Sequence, residues 1–459
     1  MRRRPTRSQL DWALYDWANS AFATTVMAGF FPLFFKQYWS AGTEVTTSTF
    51  WLGLGNSLAS LLIVLLAPLL GALADTAGSH RRNLGAFALL GVVATAGLSL
   101  VGEGGWPIAI TVYVVAILGF SGANVFYDSM LPGLAGPGER HRVSALGYAL
   151  GYLGGGLLFL VNVVMTLQPG LFGLADAGAA VRVSFLTVSL WWLAFSLPLL
   201  LGGRRAAADA SAAAGARPVA LPASAAGAPF GERVRLALRQ LLSTLCEVRG
   251  QRNLWLFLLA YWLYIDGVAT IIRMAVDYGV AIGLPANSLI VALLLVQFIG
   301  FPATLVFGRL GERFGAKPAL VGAISVYVVA TIAAVFMTTA LHFYLLAVAL
   351  GLVQGGVQSL SRSMFSRLIP EARAGEYFGF LNMLGKAAAV VGPVLVGVVA
   401  ATSGSPRIGI LSVIVLFVAG LVLLLRVEEP TDGRAAGTRD GVGEEAGGGA
   451  TGDAVASRP

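Results

Sequence analysis

Apolar runs close to the length of a bilayer crossing follow one another almost without a break from residue 13 to residue 426. An α-helix rises about 1.5 Å per residue, so roughly 20 apolar residues cross the hydrocarbon with every backbone amide satisfied internally. Twelve segments of this size can be drawn, at 13–36, 48–72, 83–102, 106–132, 144–167, 181–202, 253–283, 287–309, 317–338, 341–362, 376–401 and 407–426, numbered spans 1 to 12 in chain order. The 459 residues are 57% hydrophobic and 12% charged, with a mean hydropathy of +0.78. A soluble domain carries roughly 25% charge, so this chain has too little polar surface to cover a water-soluble body. The composition excludes a soluble globular enzyme and predicts an all-α integral membrane protein.

Spans 1 to 6 precede residue 203 and spans 7 to 12 follow residue 252. The intervening segment opens with an Ala/Ser/Pro/Gly tract, 206–229, of linker composition. From Glu232 to Glu247, Val234, Leu238, Leu241, Leu242 and Leu245 recur at helical spacing opposite Arg233, Arg235 and Arg239. That pattern fits an amphipathic helix on the membrane surface and equally a solvated linker helix. The expected organisation is a six-helix bundle over 1–202, a cytoplasmic linker over 203–252, a second six-helix bundle over 253–426 and a disordered tail over 427–459.

The net charge of +8 is spread between the apolar runs, which argues against nucleic-acid binding. Arginines crowd one side of the twelve-span arrangement, at the N-terminus, Arg81, Arg82, Arg140, Arg142, the linker, Arg309, Arg313, Arg362, Arg367 and Arg373. Lys36, Arg182, Arg273 and Arg407 fall on the other. The positive-inside rule then puts both termini and the linker in the cytoplasm. Arg2, Arg3 and Arg4 resemble the start of a signal peptide, but the run behind them is long and contains Asp16 and Asn19, as in a retained span. Cys246 is the one cysteine, and His80, His141 and His342 lack metal-ligand spacing, so neither a disulfide, a metal nor a cofactor is expected.

The two halves repeat. The loop after span 2 runs from Gly71 through Asp75 and Gly78 to Arg81 and Arg82, and that after span 8 from Gly308 through Glu312 and Gly315 to Lys317. Ser129-Met130 matches Ser363-Met364, Pro137 matches Pro370, and Gly147 matches Gly379, at offsets of 234, 233 and 232. A weaker pair aligns Asp16 with Asp266. Internal symmetry of this kind is a mark of alternating-access transporters.

Two parallel six-helix halves joined by a long linker, with a Gly-x-x-x-Asp loop trailed by basic residues, resemble the major facilitator superfamily. Within it, residues 12–22 (WALYDWANSAF), 147–156 (GYALGYLGGG), 264–267 (YIDG), 359–365 (SLSRSMF) and 379–386 resemble the vacuole-effluxer family. The resemblance covers residues from about 10 to 426 and implies a relation to vacuolar proteins associated with amino-acid efflux. It also implies that spans 1, 4, 7 and 10 line a central cavity, with Asp16 and Asp266 facing it from opposite halves. An arginine- and alanine-rich chain with three lysines fits a GC-rich bacterium, so the expected location is the bacterial cytoplasmic membrane.

An ionisable side chain at mid-bilayer costs about 2.5–3.5 kcal/mol on insertion scales, so each one needs a partner or a function. Asp266 lies near the middle of span 7, and Arg273 has Asp277 at ion-pair spacing. Asp266 is then a proton carrier or ammonium ligand, or the structural partner of Lys386. Asp16 and Asn19 share a helix face, as a gate or as a cap at the helix start. Lys386 in span 11 has a substrate carboxylate, Asp266 or Asp128 as candidate partners. Tyr15 and Tyr264 beside the repeated acids line the pocket or pack in the core. Asp75 and Glu312 can hold basic groups or helix N-termini in one conformation and release them in another. Asp128 and Arg362 occupy equivalent repeat positions, 362 − 128 = 234, and are expected to pair near the cytoplasmic side. The glycines of spans 5 and 11 read as close helix packing, Pro393 as a kink, and Trp12, Trp17, Trp39, Trp51, Trp191 and Trp192 mostly as an interface belt.

The function expected is a monomeric secondary transporter of a small polar solute, amino acids first among them, with a proton as coupling ion. No phosphate-binding loop supports direct use of ATP. Export of amphipathic drugs, sodium coupling, a membrane-embedded enzyme and a non-transporting sensor or scaffold are the alternatives.

Overall fold

A computed structural model of the chain describes residues 4–41, 80–202, 246–282, 284, 286–388 and 391–429, with scattered positions between 51 and 70. The described residues form an all-helical bundle. Eight helices are long and apolar enough to cross a membrane: Trp106–Ser129, Arg140–Leu167, Ala177–Leu201, Arg252–Ala275, Ser288–Phe314, Ala316–Val335, Ala340–Leu368 and Pro406–Leu425. They correspond to spans 4 to 10 and 12. Span 3 is the helix His80–Leu98, and span 11 consists of Ala374–Ala388 and Val391–Ser403. Span 1 starts as Arg7–Ala21 and continues to Trp39 with wider π turns at Phe22–Phe30 and Phe35–Trp39. Most of span 2, the first linker segment with most of the amphipathic pattern, and the tail from 430 lie outside the described residues.

Helix ends depart from the hydropathy boundaries where polar residues extend them. Span 1 begins earlier than its apolar run because Thr6 caps it, its hydroxyl accepting from Gln9 N at 3.3 Å while Gln9 Oε1 accepts from Thr6 N at 3.1 Å. Span 10 continues past 362 to Leu368, because Ser363, Met364, Phe365 and Ser366 are buried against neighbouring helices instead of facing solvent.

Apolar side chains gather into one core drawn from residues 12–199 and another from 248–427. Outward-facing positions remain apolar: Val93, Leu190, Leu197, Val329, Leu345 and Val415 are exposed, as a lipid-facing surface requires. Trp12, Trp39 and Trp192 are fully buried rather than in an interface belt. Residues 427–429, expected in the disordered tail, are packed: Val427 is buried, and Glu428 exchanges two 2.7 Å hydrogen bonds with Asn253. These residues share one end of the bundle, the linker end, with the start of span 1, where Gln9 bonds Leu134 O at 3.0 Å.

Spans 3 and 4 meet so closely that a Cβ on Gly119 would lie 2.3 Å from Gly91 N. Overpacking there costs about 1–3 kcal/mol, so Gly119→Val is expected to lower the melting temperature of the purified protein. Gly322→Val, which meets open space, is expected to leave it nearly unchanged.

Candidate functional site

Helices from both cores line a cavity of about 460 Å³. Spans 1, 4 and 5 give it a polar wall, with Asp16, Asn19, Ser20, Thr24, Asn124 and Tyr148. Spans 7, 8 and 10 give a largely apolar one, with Ile271, Leu289, Leu293, Val296, Leu346 and Leu350, interrupted by Gln297, Gln354 and Gln358. At the linker end Arg362 of span 10 reaches across to the N-terminal helices and forms the cavity floor.

The guanidinium of Arg362 is 4% exposed and fully partnered. Its Nη1 lies 3.2 Å from Asp128 Oδ1, its Nη2 3.3 Å from Asp16 Oδ2, and its Nε donates to Ser144 Oγ at 2.9 Å. Nη2 also donates to Ser144 O at 2.9 Å. Aromatic rings surround the cation, Tyr148 at 4.2 Å, Trp12 at 4.7 Å and Tyr127 at 5.4 Å. Trp12 and Tyr127 stack at 4.4 Å, and the Tyr127 hydroxyl donates to Asp16 Oδ2 at 2.8 Å. Asn382 of span 11 donates to Asp128 Oδ2 at 3.2 Å. Gly147 makes room for this cluster, since a Cβ there would stand 2.6 Å from Asp16 Oδ2 and 3.0 Å from Arg362 Nη2.

Below the floor, further bonds join the two sets of helices. His141 Nδ1 is 2.7 Å from Ser363 Oγ and its Nε2 2.8 Å from Arg367 Nη1. Arg140 donates to Ser366 O at 2.6 Å and pairs with Glu371. Glu429 accepts from Ala316 N at 2.7 Å and Lys317 N at 3.0 Å, at the N-terminus of span 9, and approaches Arg367 at 3.5 Å and His141 at 3.7 Å. The backbone allows this approach because Gly315 has φ +88° and no Cβ to meet the Glu429 carboxylate.

The remaining residues singled out by sequence fall into place as follows. Asn19 lines the cavity and donates to Asn124 Oδ1 at 2.7 Å. Asp266 is 2% exposed but is not among the cavity-lining residues: both of its oxygens accept from Gly392 N, at 3.1 and 3.0 Å, at the start of Val391–Ser403. It therefore binds the backbone of span 11 instead of facing Asp16. Tyr15 packs beside Tyr127, and Tyr264 is buried with its hydroxyl 2.7 Å from Ser361 Oγ; neither lines the cavity. Gly308 abuts Ala145, a Cβ on it lying 2.5 Å from that methyl group, and Glu312 is 3.7 Å from Arg142. Of the two partners expected for Glu312, a basic group or a helix N-terminus, the structure places the base Arg142 beside it, while the N-terminus of span 9 is held by Glu429. The Lys317 side chain donates to Leu425 O at 2.7 Å. Arg81 is half-buried and Arg82 exposed at the start of span 3, outside the Arg362 cluster. Gly71, Asp75 and the side chains of Lys386 and Asp277 lie outside the described residues.

Fold and cavity together define a transporter of the major facilitator class. The human organic anion transporter MFSD10 superposes with a TM-score of 0.64 at 17% identity, over 91% of this chain and 99% of that one. FucP in its outward conformation superposes with a TM-score of 0.63 at 14% identity, over 92% and 99%. The chain belongs to the family described as vacuole effluxer Atg22 like, which matches residues 5–437. An MFS-type transporter of Bacillus subtilis, YxiO, is 36% identical over 94% of this chain and 97% of its own length. Autophagy-related protein 22 of Yarrowia lipolytica is 27% identical over 62% of this chain, which spans about half of that fungal protein.

Asp266→Ala leaves the buried Gly392 amide without its acceptor, a loss of about 1–3 kcal/mol. A lower melting temperature with unchanged ligand selectivity is expected, measured on the detergent-purified protein.

Proposed function

We propose that the protein is a secondary active transporter of small polar solutes, amino acids first among them, working by alternating access with a proton as coupling ion. The observation that carries this reading is a cavity between two helical cores, closed at one end by a buried cation of one core held on carboxylates of the other. Such a cluster biases a two-state equilibrium: it stabilises the arrangement closed at the linker end and must part for the opposite one. The arginine-rich linker end is cytoplasmic on the positive-inside argument, which makes this the state open away from the cytoplasm. A bacterial cytoplasmic membrane suits the Bacillus relative, and a monomer supplies a complete cavity.

The described charged side chains lining the cavity are Asp16, Asp128 and Arg362, two acids and one base. A proton or a cationic group corrects that imbalance, which supports proton coupling. The family's description as an effluxer supports transport, and the mixed polar and apolar walls suit a small solute with both polar and apolar parts, such as an amino acid.

Liposomes holding the purified protein and an internal pH dye test the reading under an imposed pH gradient. At least one amino-acid class is expected to trigger proton flux, and Arg362→Ala is expected to abolish solute-coupled flux by removing the closed state. Absence of flux with every amino acid, in protein verified as folded, overturns the reading.

A further inference from the structure

The two carboxylates beside Arg362 are not equivalent. Asp128 has both oxygens engaged by the C-terminal helices, Oδ1 by Arg362 and Oδ2 by Asn382, each at 3.2 Å. Asp16 receives the Tyr127 hydroxyl at 2.8 Å and Arg362 Nη1 and Nη2 at 3.4 and 3.3 Å, all on Oδ2. Its Oδ1 accepts no hydrogen bond among the described residues, although Asp16 is only 8% exposed and lines the cavity. One helical turn away the Ser20 hydroxyl also lines the cavity, with no partner among the described residues. Asn19, 2% exposed, lies on the same face.

A carboxylate oxygen that faces the cavity without a protein donor is left for a bound solute to satisfy, so a group that supplies donors binds there selectively. A neutral hydroxyl supplies a single donor, whereas a primary ammonium supplies three together with a positive charge, and such charge-assisted bonds are roughly twice as strong. Ser20 Oγ stands ready as a second acceptor. On the transporter reading above, we infer that Asp16 Oδ1, with the Ser20 hydroxyl, is the receptor for the primary ammonium group of the transported solute. Asp128 stays with Arg362 and Asn382. An ammonium on Oδ1 competes with Arg362 for the charge of the same carboxylate, so loading the cavity loosens one of the two ionic contacts that close it.

The test is a binding series on the full-length protein in detergent. The twenty proteinogenic amino acids are screened by calorimetry, and the tightest is compared with its 2-hydroxy acid and with its decarboxylated amine. Wild type is expected to prefer the amino over the hydroxy acid by about 100-fold. Asp16→Asn is expected to bring that ratio toward 1, whereas Asp128→Asn, which also weakens the hold on Arg362, is expected to affect both ligands alike and keep the ratio. Ser20→Ala, clear of Arg362, is expected to reduce the ratio several-fold and serves if Asp16→Asn does not fold. An amine that binds as tightly as the amino acid assigns the site to amines, and one that binds weakly assigns it to amino acids. A ratio kept in Asp16→Asn, kept in Ser20→Ala, or lost in Asp128→Asn overturns the inference while leaving the transporter reading intact. If neither amino acids nor amines bind to wild type, both fall together.

Discussion

A guanidinium buried between helices of two separate cores has to be neutralised where it sits, and the architecture around Arg362 follows from that requirement. Two carboxylates, a serine and three aromatic rings surround it, and all come from spans 1, 4 and 5 of the opposite core. Removing one partner of a buried ion pair typically costs about 3–5 kcal/mol, because the other charge is left unpaired. The cluster therefore opposes separation of the helices at this end while the cavity is empty. Gly147 belongs to the same design, since a side chain there would occupy the space of the ions.

The closed end is reinforced by contacts of a different kind. Glu429 brings its carboxylate to the N-terminus of span 9 and toward Arg367, and thereby toward His141 of the other core. A device that rocks between two states needs bonds strong enough to define each state and few enough to be exchanged. Most bonds across the interface at this end involve side chains, which can exchange partners while each helix keeps its own backbone ladder. Span 11 is tied to span 7 by Asp266, whose carboxylate accepts from the backbone amide of Gly392.

Much of the fold was legible in the sequence because lipid permits only self-satisfied helices, so hydropathy alone outlines the spans. The helices at spans 4 to 9 and 12 match its runs closely, while the ends of spans 1 and 10 do not, because polar residues there are buried against protein and carry no hydropathy signal. The repeat offset of 234 pointed to Asp128 and Arg362, which stand 3.2 Å apart: equivalent positions near the symmetry axis of two related halves approach each other. Asp266 shows where the sequence fell short. Its mid-span position resembled that of a cavity carboxylate, but one turn of a helix decides which neighbour it faces, and only the packing of span 11 reveals that. Glu429 carried no signal at all, lying just beyond the last apolar run in a tail of polar composition.

The central claim is that the Arg362 cluster holds the linker end closed. Spin labels on Gly138→Cys and Ala372→Cys, exposed positions on the two sides of that end, report its opening once Cys246 is replaced by serine. Distance distributions by pulsed electron resonance in lipid nanodiscs should show one dominant short separation, and Arg362→Ala should shift population toward longer separations. An unchanged distribution in Arg362→Ala, with the protein folded, would contradict the account.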